Sequence, residues 1–279
     1  MIIDFHTHIF PPWLQDQRKK YLERDSTFGE LYANPKAKLA TAEDLLEAMD
    51  EDGVDTSVVM GIGWTDAGLA REVNDYIIDS TRHHPRRIVG FAGVNPAWGR
   101  EAAREVDRCA NAGLKGVGEL HPDSQAFDLG DVEAMAPLVE AIRHHRLILT
   151  THSSEPVGHI YQGKGTTGPE VMWRFVQNFP DLTVVCAHWG GGLPFYSLMP
   201  EVGDGLKNVY FDTAASPFLY TSRVFSAVAG LVGPRRILLG SDFPLLRAHR
   251  LLRQVQESGL SESDAQLVTW DNAAELLQI

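Results

Sequence analysis

Only two cysteines occur in 279 residues, so the chain has no disulfide framework. Cys109 and Cys186 fall in a helix-like and a strand-like stretch and read as buried thiols, a usage that fits a reducing compartment. Positive charge is scarce as well: Lys plus Arg number 25 against 37 for Asp plus Glu, a formal charge of −12. With no basic stripe to offset that balance, nucleic acid and anionic membranes are excluded as expected partners. No run approaches about 18 uninterrupted apolar residues, so no membrane span is expected. The first apolar run starts at Ile2, so no signal peptide is expected. The expectation is a cytoplasmic protein with a small-molecule substrate. A homo-oligomer is compatible with it, although no segment marks an interface.

What the chain does contain is alternation. Eight short apolar runs read as strands: Ile2–Phe5, Ser57–Met60, Ile88–Val94, Leu114–Gly118, Leu147–Thr151, Leu182–Ala187, Val209–Phe211 and Ile237–Gly240. Amphipathic stretches lie between them, such as Leu69/Val73/Tyr76/Ile77 and Met135/Leu138/Val139/Ile142. Thr41-Ala42-Glu43-Asp44 reads as a helix start, and Gly53 and Gly113 sit where helices should end. Repeated strand–helix units imply parallel strands with helical crossovers, in an α/β barrel or a doubly wound sheet. The length suits one barrel domain over residues 1–279, since such barrels need about 250 residues. Ser261–Val268 and Asn272–Ile279 read as extra C-terminal helices. About 30 residues between His8 and Thr41, opening with Pro11-Pro12-Trp13, form an unusually long connection of the kind that serves as a lid.

Polar residues recur at strand ends. In His6-Thr7-His8 the two imidazoles project to one side of the first strand, an arrangement shared by metal ligands and by plain strand ends. Glu119 closes strand four and His121 follows it; His152 ends strand five, His188 ends strand six, and Asp242 follows strand eight. A barrel would gather all of these at its C-terminal rim. Singly, each has a structural reading: a hydrogen-bonded histidine, or an aspartate capping a helix. His83, His84, His144, His145 and His249 fall in helical segments and read as solvated. Jointly, the rim residues favour a divalent ion, zinc first and manganese second, because imidazole and carboxylate are the donors such ions take.

This pattern resembles the amidohydrolase superfamily. The resemblance is to its "amidohydrolase 2" branch, which includes aminocarboxymuconate-semialdehyde decarboxylase with related decarboxylases, lactonases and hydratases. The segments that carry it are Ile2–His8, Val185–Gly191, Val209–Thr213 and Leu239–Pro244. The resemblance implies a metal-dependent (β/α)8 TIM barrel. It makes His6, His8, His152 and Asp242 the ligands of one catalytic ion, with His188 meeting water, substrate or a second ion. Two-metal relatives commonly carry a carboxylated lysine at the end of strand four. Here Glu119 stands at that point, with Lys115 four residues earlier, so Glu119 is either a bridge between two ions or a support for one.

Such a site suggests hydrolysis of an amide, lactone or ester by a metal-activated water, with Asp242 moving the proton and His188 polarising the carbonyl. Non-oxidative decarboxylation of an aromatic or unsaturated acid is the alternative, in which Arg247 or Lys164 would fix the substrate carboxylate. A non-catalytic metal-binding barrel is a third reading. Gly158–Gly165 nearly matches a phosphate-binding loop but has glycine after its lysine and lies past its strand. His188-Trp189-Gly190-Gly191-Gly192 suggests an esterase oxyanion loop, yet no Gly-x-Ser-x-Gly accompanies it. Ser154–Gly168 therefore reads as a loop over the site, with His159, Tyr161 and Lys164 meeting substrate. Trp13, Trp64, Trp189 and Phe218 are candidates for an apolar pocket wall.

Overall fold

The apolar runs pair side by side in the order in which they occur. In the computed structural model, which describes residues 1–279, strands β1 (Ile3–His8), β2 (Thr56–Met60), β3 (Ile88–Ala92) and β4 (Gly116–Leu120) are followed by β5 (Ile148–Thr151), β6 (Val184–Cys186), β7 (Val209–Asp212) and β8 (Ile237–Leu238). Their spatial order is the chain order and every pairing is parallel. The segment after β8 returns to β1: Phe5 N–H donates to the Leu239 carbonyl at 2.7 Å, and His8 N–H to that of Phe243 at 2.7 Å. These bonds close a (β/α)8 TIM barrel. No helix is long and apolar enough to cross a membrane.

Local chemistry sets the helix ends. Thr41 and Asp44 form a reciprocal capping box that starts the helix Ala42–Asp52, and Gly53 ends it in the left-handed region at φ 72°. The C-terminal segments run on from Glu262 to Leu277 with a wider π turn over Leu267–Asp271, instead of separating into two helices. Ala273, Ala274 and Leu277 plug the barrel floor against Ile3, Phe5 and Leu238. The long first connection folds into three short helices, Pro12–Asp16, Arg18–Arg24 and Ser26–Tyr32. Asp25 caps the third through Phe28 N–H and also receives Thr65 N–H and Asp66 N–H, so the insertion is fastened to the rim beyond β2.

One irregularity decides what the barrel presents at its rim. Ile3 and Phe5 belong to the inner core, so strict alternation would turn His6 and His8 outward. The β1–β2 register shifts between Asp4 and Thr7, and this bulge brings His6 and His8 to the inside while Ile9 packs outside. A second shift between Val117 and Leu120 does the same for Glu119 on β4.

Candidate active site

Three imidazoles are held with one ring nitrogen committed to the scaffold and the other turned into the rim. His6 Nδ1 lies 2.8 Å from the buried Asp212 carboxylate, His8 Nδ1 3.2 Å from the Met60 carbonyl, and His188 Nδ1 3.0 Å from the Ala214 carbonyl. These partners only accept, so each Nδ1 carries a proton and each Nε2 faces inward. His6 Nε2 and His8 Nε2 stand 3.1 Å apart. Glu119 Oε2 lies 3.5 Å from the former and 3.7 Å from the latter, while Asp242 Oδ1 is 3.4 Å from His8 Nε2 and 4.0 Å from His6 Nε2. The other Glu119 oxygen lies 3.0 Å from His152 Nδ1 and 3.3 Å from His188 Nε2. His152 Nε2 meets Ser154 Oγ at 3.1 Å.

Two donor groups thus share Glu119: His6–His8–Glu119 and Glu119–His152–His188, each with ligand atoms within 4.8 Å of one another and all buried. Asp242 sits on the His6–His8 side, and His152 on the other. Such a collection of imidazole and carboxylate atoms suits a divalent ion. Burial disfavours charge on His6, Glu119, His188 and Asp242, yet the opposite charges outweigh it. Asp212 and Glu119 hold His6 well above the ordinary histidine value, and Glu119 with Asp242 lifts His188 to about 9. Burial likewise opposes ionisation of Glu119, but His6, His152 and His188 hold its carboxyl well below the usual range, and His8, His6 and His188 lower Asp242.

Backbone strain is concentrated here. His188 and Trp189 adopt left-handed φ values of 54° and 59°, and Asp242 one of 69°. Asp212 Oδ1 receives the His188 and Ala214 backbone N–H groups at 3.0 Å each, which holds the turn that aims His188 inward.

The donor groups open into a cavity of about 510 Å³ whose walls include Leu31, Tyr32, Ile62, His121, Tyr161 and Phe218. His159 also lines it, but Lys164 does not: its ammonium donates to the Val157 and His159 carbonyls. The tryptophans stand elsewhere. Trp64 is fully buried against Phe10 and Phe28, and Trp13 packs on Tyr21. The left-handed turn drives Trp189 into the core, where it meets Phe225 edge-on and its indole N–H donates to Ser216 Oγ. Arg247 is absent from the cavity wall because Asp52 and Glu51 hold its guanidinium.

Two participants, Asp212 and Tyr32, escaped the sequence reading, and a third, His121, was placed at the rim without a role. Asp212 lies in a segment that carried the family resemblance, yet nothing in its spacing marks it as the partner of His6. His121, buried in the wall and pushed down to about 3 by burial and by His152, had only its place two residues after Glu119 as a signal. Tyr32 comes from the long insertion after β1 with no motif. Its phenol is raised by burial and by the Asp242 and Glu119 charges.

A parallel barrel with a histidine–carboxylate cluster at its C-terminal rim defines the metal-dependent hydrolase and lyase type of architecture. Residues 3–279 match the family described as Amidohydrolase, and the chain belongs to that family of metal-dependent enzymes. Among curated proteins it is 24% identical over 283 residues to a gamma-resorcylate decarboxylase from Polaromonas sp. (83% of this chain, 85% of the relative). It is 22% identical over 330 residues to 2-amino-3-carboxymuconate-6-semialdehyde decarboxylase of Dictyostelium discoideum, covering 99% and 91%. Among solved structures, 5-carboxyvanillate decarboxylase from Sphingomonas paucimobilis superposes with a TM-score of 0.82 at 19% identity, covering 100% and 99%. Dihydroxybenzoic acid decarboxylase from Polaromonas sp. JS666, with bound manganese and 2-nitroresorcinol, does so with 0.74 at 20%, covering 99% and 96%. These relatives overturn the hydrolytic expectation. Hydrolase and carboxy-lyase chemistry draw on nearly the same donor set, so the residues alone did not separate them.

Proposed function

We propose that the protein is a metal-dependent, non-oxidative decarboxylase of an aromatic acid. The observation that carries this reading is that both curated relatives are decarboxylases and align with 83% and 99% of the chain. The cavity supports it, with apolar walls from Leu31, Ile62 and Phe218 and a polar end at the donor groups. His6, His8, Asp242 and Glu119 or His152 would hold a divalent ion, manganese or zinc, which when bound would supply positive charge for the acid.

The remaining work falls to the chain. Because His188 Nδ1 is committed to Ala214, any proton this residue exchanges with substrate is carried on Nε2, which faces the cavity. His188 delivers that proton to the ring carbon bearing the carboxylate. The bond to the carboxylate then breaks, its electron pair restores the ring, and CO2 leaves. Asp242, with 16% of its side chain exposed, meets the acid from the opposite side of the donor group and orients it. His159 and Tyr161 close the cavity from the loop after β5.

The test is CO2 release from a panel of aromatic and unsaturated acids by metal-loaded protein in D2O. The expected product carries one deuterium at the vacated carbon, and His188→Asn abolishes its formation. Full metal occupancy with no CO2 from any acid would overturn the proposal.

A further inference from the structure

His121 lines the cavity, yet neither the donor groups nor the proton transfer uses it. Gly63 makes room for it, since a Cβ there would stand 2.5 Å from His121 Cβ. The ring is stacked on His152 with centroids 4.0 Å apart and planes 16° apart, so the plane of its nitrogens is fixed. His121 Nδ1 lies 3.0 Å from Ser124 Oγ, and that hydroxyl donates to Glu30 Oε2 at 2.6 Å. A carboxylate only accepts and a serine has one hydroxyl proton, so that proton is spent on Glu30. Toward His121 the serine oxygen can only accept. The neutral ring therefore carries its proton on Nδ1 and presents a bare lone pair at Nε2.

Ser124 at Nδ1 is the only side-chain partner of this ring, and Nε2 is left without one. It faces the cavity opposite Gly163, where an added Cβ would come within 3.9 Å of it. Glu30, which fixes the tautomer, belongs to the lid helix Ser26–Tyr32, and its backbone carbonyl accepts from Gln162 of the loop after β5. Both covering segments thus meet at the group that orients this histidine.

We propose that His121 is a specificity-determining residue, recognising through Nε2 an O–H or N–H donor carried on the aromatic ring of the acid. This rests on the decarboxylase reading for the ring and its carboxylate and adds the donor. A ligand with an ether or a carbon at that point leaves a buried acceptor unpaired, and sites built to hydrogen-bond a substrate group discriminate strongly against its absence.

Binding of unreactive ligands to metal-loaded, full-length protein tests this apart from turnover. The wild type is expected to bind catechol or resorcinol about tenfold or more tightly than the dimethyl ethers, and His121→Phe to lose that preference. Nitrogen-15 spectra of the labelled histidines are expected to place the His121 proton on Nδ1. In Ser124→Ala, a milder change that keeps the test open if His121→Phe does not fold, the proton should redistribute between the two nitrogens. A preference that survives His121→Phe, equal or absent binding of phenols and ethers by the wild type, or a proton on Nε2 would each overturn the inference. If the preference is present but no acid releases CO2, the decarboxylase reading falls and the role of His121 stands.

Discussion

The floor and the rim of this barrel are built by the same strands and obey opposite rules. On β1, Ile3 and Phe5 enter a core shared with Phe91, Leu238 and Leu277, where shape and apolar area decide everything. Three residues further on, His6 and His8 stand among carboxylates, each held from behind by one acceptor. The floor has no polar demand to satisfy, whereas the rim satisfies a dense one with Asp212 and backbone carbonyls. Asp4 sits at the seam. Its carboxylate accepts Ser241 N–H at 2.8 Å and Ser241 Oγ–H at 2.5 Å, so the bulge of β1 is pinned to the segment after β8. Burial raises Asp4 to about 6 against those bonds. One strand can therefore serve stability at one end and chemistry at the other because a one-residue irregularity separates them.

The sharpest way to break this division is Asp242→Asn, which keeps a residue that tolerates the left-handed backbone at φ 69°. CO2 release should fall by about 10³-fold or more while circular dichroism and the melting curve stay near wild type. The converse substitution is Phe91→Ala on the floor, where Phe5 meets Phe91 edge-on at 5.8 Å. Urea unfolding should show a loss of about 3–5 kcal/mol, with activity per folded molecule retained. Asp212→Asn lies between the two. It withdraws the charged acceptor behind His6 and should weaken metal binding by about 10–100-fold in a metal-buffer titration, with a small effect on unfolding.

The smallest effect concerns the loop over the rim. Burial works against ionisation of Asp123, but bonds from Thr166 and Thr167 hold its carboxyl below the ordinary 3.8. A lowered folded value means stability that is present above the unfolded value and lost as pH falls through the folded one. Asp123 is exposed, so solvent screens its charge: Asp123→Asn should cost no more than about 0.5 kcal/mol at neutral pH, and the difference from wild type should vanish below the carboxylate range in pH-resolved thermal melts. A difference that persisted in acid would move the role of Asp123 from charge to shape.

Much of the framework was legible because its signals are local. Strand runs bounded by glycine and polar residues, the Thr41–Asp44 box and Gly53 all act within a few residues of themselves. The metal-type donors were legible for a related reason, since a barrel must carry every strand end to one rim. The pocket wall was not. Trp64 and Trp189 have the aromatic character that a substrate wall needs, but the same character suits the core, and burial against Phe10, Phe28 and Phe225 claimed them. Lys164 and Arg247 carry the charge a carboxylate needs, yet nearby carbonyls and carboxylates engage both.

By itself, then, the sequence determined the alternation of strands and helices and the supply of imidazoles and carboxylates at strand ends, because periodicity is a property of neighbours along the chain; the barrel, as against a doubly wound sheet, followed from the family resemblance and from the strand order of the fold. Only the tertiary structure decided that His6 and His8 turn inward past a bulge and that Glu119 is shared between two donor groups. It also decided that His121, aimed by a serine and a glutamate from other segments, faces the cavity with a free acceptor. Those outcomes depend on distances between atoms far apart in sequence, and hydrogen-bond geometry is fixed only once the strands and the lid have closed around one another.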